Sequence, residues 1–511
     1  MRRAAVASIC GLLLMTLGGT LLAPLGIAYL FDSQEEIPAL WKSIAITFFV
    51  GAMLFFGFRR DRSELGGREG FAIVALGWTI LSAFAALPFY LAPNGIPSYL
   101  DAYFETMSGF STTGASILTD IEALPKGLLF WRSMTHWLGG MGIVVLTVAI
   151  LPFLGAGGYQ IFRAEVPGPT ADKLKPRIAQ TAKILWSVYL ALTLIEIGLL
   201  LPVMSWYDAT CHAFGTLATG GFSTLNGSVA DYSSVYVDTV MTIFMILAGA
   251  NFVLHFRFAT GHGFSHLINA EFRVYFGIII VGALVITGFL YLSEFPDKAV
   301  GVNEAKYESW GSCFRYAIFQ VSAIVTTTGF VTADFDAWPN PCRAILALLM
   351  VFGGCAGSTG GGVKVIRILV LVKYGVREVH RLIRPHEVAP VKVGGENIER
   401  EVVARVMGFM SLYLVLFFLA VMTMSIILHF QPMLENANTL RPDQDRTMIT
   451  SFGSVLATFG NVGPGFADVG PVENFAGVPS LGKALLILCM LMGRLEIYAV
   501  IVLFVPLMWR R

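Results

Sequence analysis

Charged residues are scarce in this sequence. Asp, Glu, Lys and Arg make up 14% of the 511 residues, whereas about 25% is usual in a soluble domain. The formal net charge is +1 and no basic domain stands out, which excludes the phosphate neutralisation that nucleic-acid binding requires. Hydrophobic residues make up 56% of the chain, so the protein must bury apolar surface in lipid. The sequence therefore predicts an all-α polytopic membrane protein.

Cysteine chemistry and nucleotide motifs are also missing. The six cysteines are scattered, with no CxxC and no Cys/His spacing, which excludes zinc, haem or a disulfide framework. Cys313 and Cys342 both fall on the predicted external side, which leaves a disulfide between them open. No GxGxxG followed by a ribose-binding acid occurs, so the chain lacks its own nucleotide sensor, and we expect no cofactor.

Long apolar windows are abundant. A bilayer span needs about 20 apolar residues. The chain offers ten such windows, near residues 9–31, 38–58, 70–92, 128–152, 182–204, 235–256, 273–293, 342–373, 404–430 and 480–509. Arg2 and Arg3 before the first window resemble the start of a signal peptide, but the run is too long for a typical apolar region of one.

Basic residues fall mainly on one side of these windows. The rule that cytoplasmic loops carry excess Lys and Arg then places both termini in the cytoplasm. The predicted inside holds Arg2 and Arg3, a cluster at 59–68, the loop at 163–183, Arg257, Arg273, the stretch at 364–405, Arg510 and Arg511. The predicted external connections hold Lys126, Lys298, Lys306, Arg315, Arg441 and Arg446.

Four external connections contain a short, semi-apolar stretch that ends in glycine. The stretches align without gaps: DAYFETMSGFSTTG (101–114), DATCHAFGTLATGG (208–221), YAIFQVSAIVTTTG (316–329) and TSFGSVLATFGNVG (450–463). The second and eighth positions are always small, and the last is always glycine. One window precedes each stretch and another follows it, so the pattern predicts one structural unit used four times.

A helix that enters the membrane and turns back leaves unpaired carbonyls at its C-terminal end. Such ends are tolerated only where they line a watery cavity. Four of them on one axis favour a cation, glycine lets successive carbonyls turn toward that axis, and rings of carbonyl oxygen replace the water shell of potassium. A single Thr-Thr-Gly is more typical of a helix C-cap, and the repetition is what favours a pore.

These motifs resemble the Trk/Ktr/HKT superfamily of potassium transporters, and within it the TrkH/TrkG type of membrane subunit. The marks are FSTTGAS (110–116), FWRSMTHWLGGMGI (130–143), ATGGFST (218–224), TTTGF (326–330), GGCAGSTGGGVK (353–364), NVGPG (461–465) and LMGRLE (491–496). The resemblance implies an N-terminal hairpin followed by four pseudo-symmetric repeats. Their expected ranges are 1–65 for the hairpin, then 66–160, 161–262, 263–385 with a gating loop, and 386–511.

The resemblance also implies which residues coordinate the ion. The expected potassium-binding residues of the filter are Thr112, Thr113, Gly114, Thr219, Gly220, Gly221, Thr327, Thr328, Gly329, Asn461, Val462 and Gly463. Sodium-preferring members of the plant branch carry serine at the first filter glycine, so Gly114 favours potassium. Repeats two and four depart from Thr-Thr-Gly, which predicts a filter of only approximate symmetry.

The eighth window is interrupted by GGCAGSTGGG (353–362), in which six of ten residues are glycine. Glycine costs about 1 kcal/mol relative to alanine inside a helix, so the run predicts a break within the membrane. Close helix packing of the GxxxG type is the alternative, and it needs only two small residues four apart. In the resembled family such a loop obstructs the pore, which implies these gate residues: Gly353, Gly354, Gly357, Ser358, Thr359, Gly360, Gly361, Gly362, Lys364 and Arg494.

Several ionisable residues lie at membrane depth. Arg494 is costly there unless it faces water or a partner, and the corresponding arginine of the resembled family points into the pore. We assign no ion pair to Glu496 and expect Lys364 to extend toward the cytoplasm. Glu196, which lies at this depth with Arg132 and His136, is either a proton-coupling acid or, as we favour, a structural partner of a neighbouring repeat.

The resemblance further implies a homodimer in the bacterial inner membrane, regulated by a cytosolic ring of TrkA-type nucleotide-binding domains. The basic connection at 374–403 offers a site for such a partner or for anionic lipid. A proton- or sodium-coupled potassium symporter is the main alternative; it is less favoured because the repeats are parallel, not inverted. A membrane enzyme using Asp101 and Glu105 is the other, although no other repeat has a matching pair of acids.

Overall fold

A computed structural model describes residues 2–58, 67–150, 178–261, 263, 269–293, 307–385, 390–431 and 444–509. Over these residues the protein is almost wholly helical, which confirms the predicted all-α polytopic fold. The strands assigned there are β1 (Lys392–Val393) and β2 (Glu396–Asn397), which pair in antiparallel register. The expected repeat boundaries at residues 66, 161 and 386 lie outside the described residues, as do most of the basic clusters at 59–68 and 163–183.

The N-terminal hairpin forms before the repeats. It consists of α1 (Arg3–Thr20), α2 (Leu22–Leu30) and α3 (Ile37–Phe58). α1 and α3 cross at Gly11 and Gly51, where a Cβ on Gly51 would lie 2.8 Å from the carbonyl oxygen of Gly11. Small residues allow such close backbone approach inside a membrane, where packing must replace the hydrophobic effect.

Each repeat has a first helix, a short pore helix and a second helix, as predicted. The first helices are α4 (Gly67–Ala85) with α5 (Leu87–Leu91), α8 (Ile178–Leu200), α12 (Ala270–Leu292) and α16 (Arg400–Phe430). The pore helices are α6 (Tyr99–Phe110), α9 (Trp206–Leu217), α13 (Trp310–Val325) and α17 (Gln444–Phe459).

The second helices begin with α7 (Lys126–Ile150), α10 (Val235–Ala248) with α11 (Phe252–Ala259), α14 (Asn340–Leu349) with α15 (Val365–Ile383), and α18 (Ser480–Arg494) with α19 (Tyr498–Phe504) and α20 (Pro506–Trp509). Short 3₁₀ turns occur at Ser228–Tyr232, Phe335–Ala337 and Ala467–Val469.

The pore helices begin and end at defined signals. Ser98, Ser205 and Ser309 cap the first three by accepting from a backbone N–H of the first turn, which satisfies one of the donors that a helix start leaves open. All four pore helices end at the tenth aligned position, just before the glycine-containing segment. The first three pore helices pack against the second helix of the preceding repeat, α6 on α18, α9 on α7 and α13 on α10, so the repeats follow one another around a centre.

Three second helices do not run straight through. The eighth window breaks between Leu349 and Val365, as predicted. α10 and α11 meet at a bend of 103°, and the last window, expected to be continuous, breaks after Arg494 because Glu496 and Ile497 have φ of 58° and 60°. That left-handed backbone cannot continue a right-handed helix.

Five helical stretches of the described chain are long and apolar enough to cross a membrane by length and composition, or six if the bent pair α10–α11 counts as one span. They are Arg3–Leu30, Ile37–Phe58, Arg68–Leu91, Ala270–Leu292 and Arg400–Phe430. This supports a multi-pass membrane protein. The remaining predicted windows correspond to helices that are shorter, broken, or carry buried charge.

Candidate functional site: a four-segment ring and the loop beneath it

The four glycine-ending segments share one backbone conformation. The twelfth aligned residue is left-handed in every segment, although none is glycine: Thr112, Thr219, Thr327 and Asn461 have φ of 51°, 55°, 59° and 53°. The fourteenth, the invariant glycine, also has positive φ, from 78° to 102°. In each segment, two residues with positive φ are separated by one residue with negative φ. This alternation turns successive carbonyls to the same side of the segment. Strain of this kind persists only where the surrounding structure enforces it and clusters at functional sites.

Hydrogen bonds explain how the fold enforces this turn. The backbone N–H of the thirteenth residue donates to the carbonyl of the eighth in every segment: Thr113 to Ser108, Gly220 to Gly215, Thr328 to Ala323 and Val462 to Ala457, at 2.7–2.9 Å. The segment therefore folds back over the last turn of its own pore helix. The eighth residue must be small to permit this, which accounts for the pattern seen in the sequence.

The four invariant glycines lie against one another in a closed cycle. A Cβ on Gly114 would overlap the carbonyl oxygen of Gly220, one on Gly221 that of Thr328, and one on Gly329 that of Val462. A Cβ on Gly463 would lie 2.6 Å from the carbonyl oxygen of Thr113. This contact joins the fourth segment to the first and closes the cycle. Each segment thus packs its glycine on the carbonyls of the next, and we call this arrangement the ring.

The side chains of the ring are buried and partly linked. Asn461 Nδ2 donates to Thr113 Oγ1 at 2.8 Å and to the Met490 carbonyl at 3.0 Å. Thr328 Oγ1 lies 2.7 Å from Thr326 Oγ1. Thr112 Oγ1 and Asn461 Oδ1 are buried oxygens without a hydrogen-bond partner among the described residues. Buried oxygens of this kind are costly unless they are bonded, and hydroxyl and amide oxygens beside a ring of carbonyls fit ligands for a cation.

The interrupted segment 353–362 lies directly against the ring. The N–H of Gly361 donates to Thr327 Oγ1 at 2.7 Å, and a Cβ on Gly361 would lie 2.6 Å from the Asn461 Cβ. The Thr359 hydroxyl donates to the carbonyls of Leu217 and Ala248 at 2.9 and 3.2 Å. We call residues 353–362 the gate loop, after the role that the sequence predicts for them.

Arg494 joins the gate loop to the first repeat. Its Nη1 donates to the Thr359 carbonyl at 2.7 Å and its Nη2 to the Gly139 carbonyl at 3.3 Å. The residue is 3% exposed. A Cβ on the adjacent Gly493 would lie 2.5 Å from Asn461 Oδ1. The fixed positive charge of Arg494 is therefore held between the gate loop and α7, next to the ring.

Two expectations about charged neighbours are wrong. Lys364 does not extend toward the cytoplasm: it is buried and its ammonium group donates to the carbonyl of Gly360, at the turn of its own loop. Glu496 does have an ion pair, because Arg367 Nη2 lies 2.5 Å from its Oε2. The partner of Lys364 is local, four residues before it, whereas the partner of Glu496 comes from a distant part of the chain.

The gate loop has anchors that the sequence reasoning missed. Glu271 Oε1 accepts from the N–H of Ala356 at 2.8 Å and from that of Ile366 at 3.1 Å, so it ties the loop to the first turn of α15. The N–H of Cys355 donates to the Gly249 carbonyl at 2.8 Å. The bend between α10 and α11 exposes that carbonyl. A buried acid at the start of a span was the available signal for Glu271, but such an acid is also typical of any helix N-terminus.

The remaining candidates are accounted for as follows. Asp101 and Glu105 belong to different ion pairs, with Lys483 and Arg132, each at 2.6 Å. His136 stacks on Phe222 with centroids 3.9 Å apart, behind the second segment of the ring. Cys313 and Cys342 are free, buried thiols, so the disulfide left open by the sequence is not formed.

Comparison with known proteins identifies the family. The model of the TrkH family, described as a cation transport protein, matches residues 36–510. The Trk system potassium uptake protein TrkH of Salmonella typhimurium is 38% identical over 509 residues, and TrkG of Escherichia coli is 32% identical over 509 residues, with 98–99% of each chain covered. The crystal structure of the potassium transporter TrkH from Vibrio parahaemolyticus matches with a TM-score of 0.85 and 38% identity, covering 100% of both chains. The chain belongs to the TrkH family of cation transport proteins, which is a transport family and not a family of enzymes.

Proposed function

We propose that this chain takes up potassium through the ring, across the bacterial inner membrane. The observation that carries the proposal is the closed cycle of Gly114, Gly221, Gly329 and Gly463, each lying on carbonyls of the next segment. A ring of backbone carbonyls at the ends of four pore helices is suited to replacing the hydration shell of a large monovalent cation. The curated relatives are named as potassium uptake proteins, which supports potassium as the ion.

Rubidium uptake into vesicles tests this proposal. The purified chain is placed in liposomes loaded with potassium, and uptake of labelled rubidium is followed with sodium or potassium added outside. We expect uptake that potassium suppresses and sodium hardly affects. Uptake that sodium suppresses equally well would contradict the assignment of the ring as a potassium filter. So would the absence of uptake above protein-free vesicles both in the wild-type chain and in Arg494→Gln, which lacks the proposed gate charge.

The gate loop and Arg494 are proposed to form the gate. The loop lies on one end of the ring, and Arg494 holds it there through the Thr359 carbonyl. A buried guanidinium beside the path opposes a permeating cation electrostatically. Conduction therefore requires that the loop withdraw and that Arg494 lose at least one of its two carbonyl partners.

Regulation from the cytosol is proposed to act through α15. This helix begins at Val365, three residues after the gate loop ends at Gly362, so a movement of the helix is passed to the loop through two intervening residues. Within this helix, Lys373 Nζ donates to the Lys392 carbonyl at 2.6 Å and ties α15 to the β1–β2 hairpin. We propose a cytosolic ring of TrkA-type nucleotide-binding domains as the partner, and a homodimer as the membrane unit. Pull-down of such a ring by the full chain, lost when residues 374–403 are replaced by a neutral linker, tests the first point.

Proton-coupled symport is the second candidate, and one residue favours it. Glu196 is 0% exposed, and neither carboxylate oxygen has a hydrogen-bond partner within the part of the chain that the structure describes. A carboxyl group in such a site is far less costly when protonated. If rubidium uptake drives proton uptake in wild-type vesicles but not in Glu196→Gln vesicles, coupling is established. Equal proton movement in both variants would exclude Glu196 as the coupling group.

A further inference from the structure

One position of the pore helices is polar in every repeat although it is buried. It is the fifth aligned residue, occupied by Glu105, His212, Gln320 and Ser454, all at most 1% exposed. A buried polar side chain is costly unless it is hydrogen-bonded. The fifth position lies five residues before the end of each pore helix, so it is not a cap of that helix end.

In the first repeat, this side chain holds the residues that follow the ring. We call the extended residues just after each ring glycine the outer strand of that repeat. Glu105 Oε2 accepts from the N–H of Ile117 at 2.9 Å, and Oε1 accepts from Ser116 Oγ at 2.9 Å. Ser116 is the second residue after Gly114. Arg132 Nε also donates to Oε1, at 2.6 Å. The carboxylate thus has three donors, and two of them belong to the outer strand of its own repeat.

Arg132 extends the same bracing to the second repeat. Its Nη1 donates to the Ser223 carbonyl at 2.9 Å, and its guanidinium lies 3.6 Å from the centroid of the Phe222 ring. Phe222 and Ser223 directly follow Gly221. The pair Glu105–Arg132 therefore ties together the strands that leave the ring in two adjacent repeats. Both side chains are at most 2% exposed, so solvent does not screen the pair.

The second and third repeats do the same with neutral groups. His212 Nδ1 bonds the Asp208 carbonyl at 2.8 Å, which requires a proton on Nδ1 and leaves Nε2 to accept from Ser223 Oγ at 3.0 Å. Gln320 Nε2 donates to Thr332 Oγ1 at 3.3 Å, and Thr332 is the third residue after Gly329.

The fourth repeat is different. Ser454 is too short to reach the outer strand, and its hydroxyl donates to the Ser451 carbonyl of its own helix at 3.1 Å. There the outer strand approaches the pore helix through backbone instead, since a Cβ on Gly453 would lie 2.7 Å from the Phe466 nitrogen. Ser454 is therefore a natural control for the other three positions.

We propose that Glu105, His212 and Gln320 are positioning residues that fix the width of the ring. Glu105 has the strongest effect of these three residues, because it is ion-paired with Arg132. They do not contact the ion; they hold the residues that directly follow the ring segments, and those segments carry the carbonyl ligands. Discrimination between cations of similar charge depends on how closely a ring keeps its geometry, and a binding group must be held within about 0.5 Å. The inference rests on the proposed function, because it gives these residues a role in potassium selectivity.

The test compares selectivity, not only rate, in the vesicle assay described above. Glu105→Gln removes the charge that holds Arg132 and leaves one oxygen for the outer strand. We expect the concentration of sodium that halves rubidium uptake to fall about tenfold, as expected for losing one buried charged hydrogen bond. Gln320→Leu, which keeps the volume and removes one neutral bond, should lower that concentration by a smaller factor. Ser454→Ala should leave it unchanged.

A charged partner left alone in the interior can prevent folding, so a double variant, Glu105→Gln with Arg132→Met, removes both charges. If Glu105→Gln does not reach the membrane, the double variant and Gln320→Leu decide the question. Wild-type sodium sensitivity in both would overturn the proposal, and so would the same loss of selectivity in Ser454→Ala. Absence of rubidium uptake by both the wild-type chain and Arg494→Gln would overturn the proposed function, and with it this selectivity role.

Discussion

Replacing Gly463 by alanine is the sharpest test of the ring, because it adds one methyl group at the contact that closes the cycle. The new Cβ would lie 2.6 Å from the Thr113 carbonyl oxygen, whereas ordinary contact begins at 3.4 Å. The ring segments of repeats one and four must therefore separate by about 0.8 Å. This displacement exceeds the roughly 0.5 Å that a binding site tolerates. The backbone adds to this, since Gly463 has φ of 102° and left-handed conformations cost other residues about 1–2 kcal/mol.

That backbone cost alone lowers the population of the intact ring by a factor of about 5–30. We expect rubidium uptake at low rubidium concentration to fall at least that far, with greater sensitivity to sodium. The matched control is Gly288→Ala, because Gly288 lies inside α12 with open space around its Cβ position. Uptake and sodium sensitivity equal to wild type in Gly463→Ala, at equal protein content, would refute the reasoning about the ring.

Three further variants test the gate and the scaffold. Arg494→Gln removes the fixed charge and its bonds to Thr359 and Gly139, so rubidium uptake without any cytosolic partner should rise several-fold; unchanged uptake would count against Arg494 as part of the gate. Thr359→Val removes a hydroxyl whose single proton is shared between two carbonyls. The loss of this one shared hydrogen bond, worth about 1 kcal/mol, should raise basal uptake about fivefold; lower uptake would show that Thr359 serves the open state. Gly51→Leu should lower the melting temperature in detergent, since overpacking costs about 1–3 kcal/mol where α1 crosses α3; sodium sensitivity of the remaining uptake should match wild type, and an altered value would place the hairpin in the selectivity path.

The ring was predictable because the sequence contains four copies of one pattern, which can be aligned and compared with one another. A small eighth residue and an invariant fourteenth glycine are uninformative in a single segment. Repeated four times between apolar windows, they predicted the four pore helices, although the helices end at the tenth aligned residue, before the glycine. The glycine run at 353–362 predicted the break in the eighth window for a similar reason, since the local cost of glycine in a helix adds up over the run.

The hydrogen-bond and ion-pair partners of the charged side chains could not be predicted from local sequence patterns. The contact of Lys364 with the Gly360 carbonyl depends on how the gate loop folds, and the ion pair of Arg367 with Glu496 joins residues 129 positions apart. The break after Arg494 follows from left-handed backbone at Glu496 and Ile497, which neither residue type favours. The buried polar residues at the fifth position were visible in the aligned segments, but their role required the strands that they hold.

The central claim is that the cation binds within the ring formed by Gly114, Gly221, Gly329 and Gly463. The most direct measurement is anomalous diffraction from crystals of the full chain grown in thallium or rubidium. The account predicts an anomalous peak enclosed by the carbonyls of the four segments, weaker in Gly463→Ala crystals. A peak elsewhere in the membrane region, with none inside the ring, would contradict it.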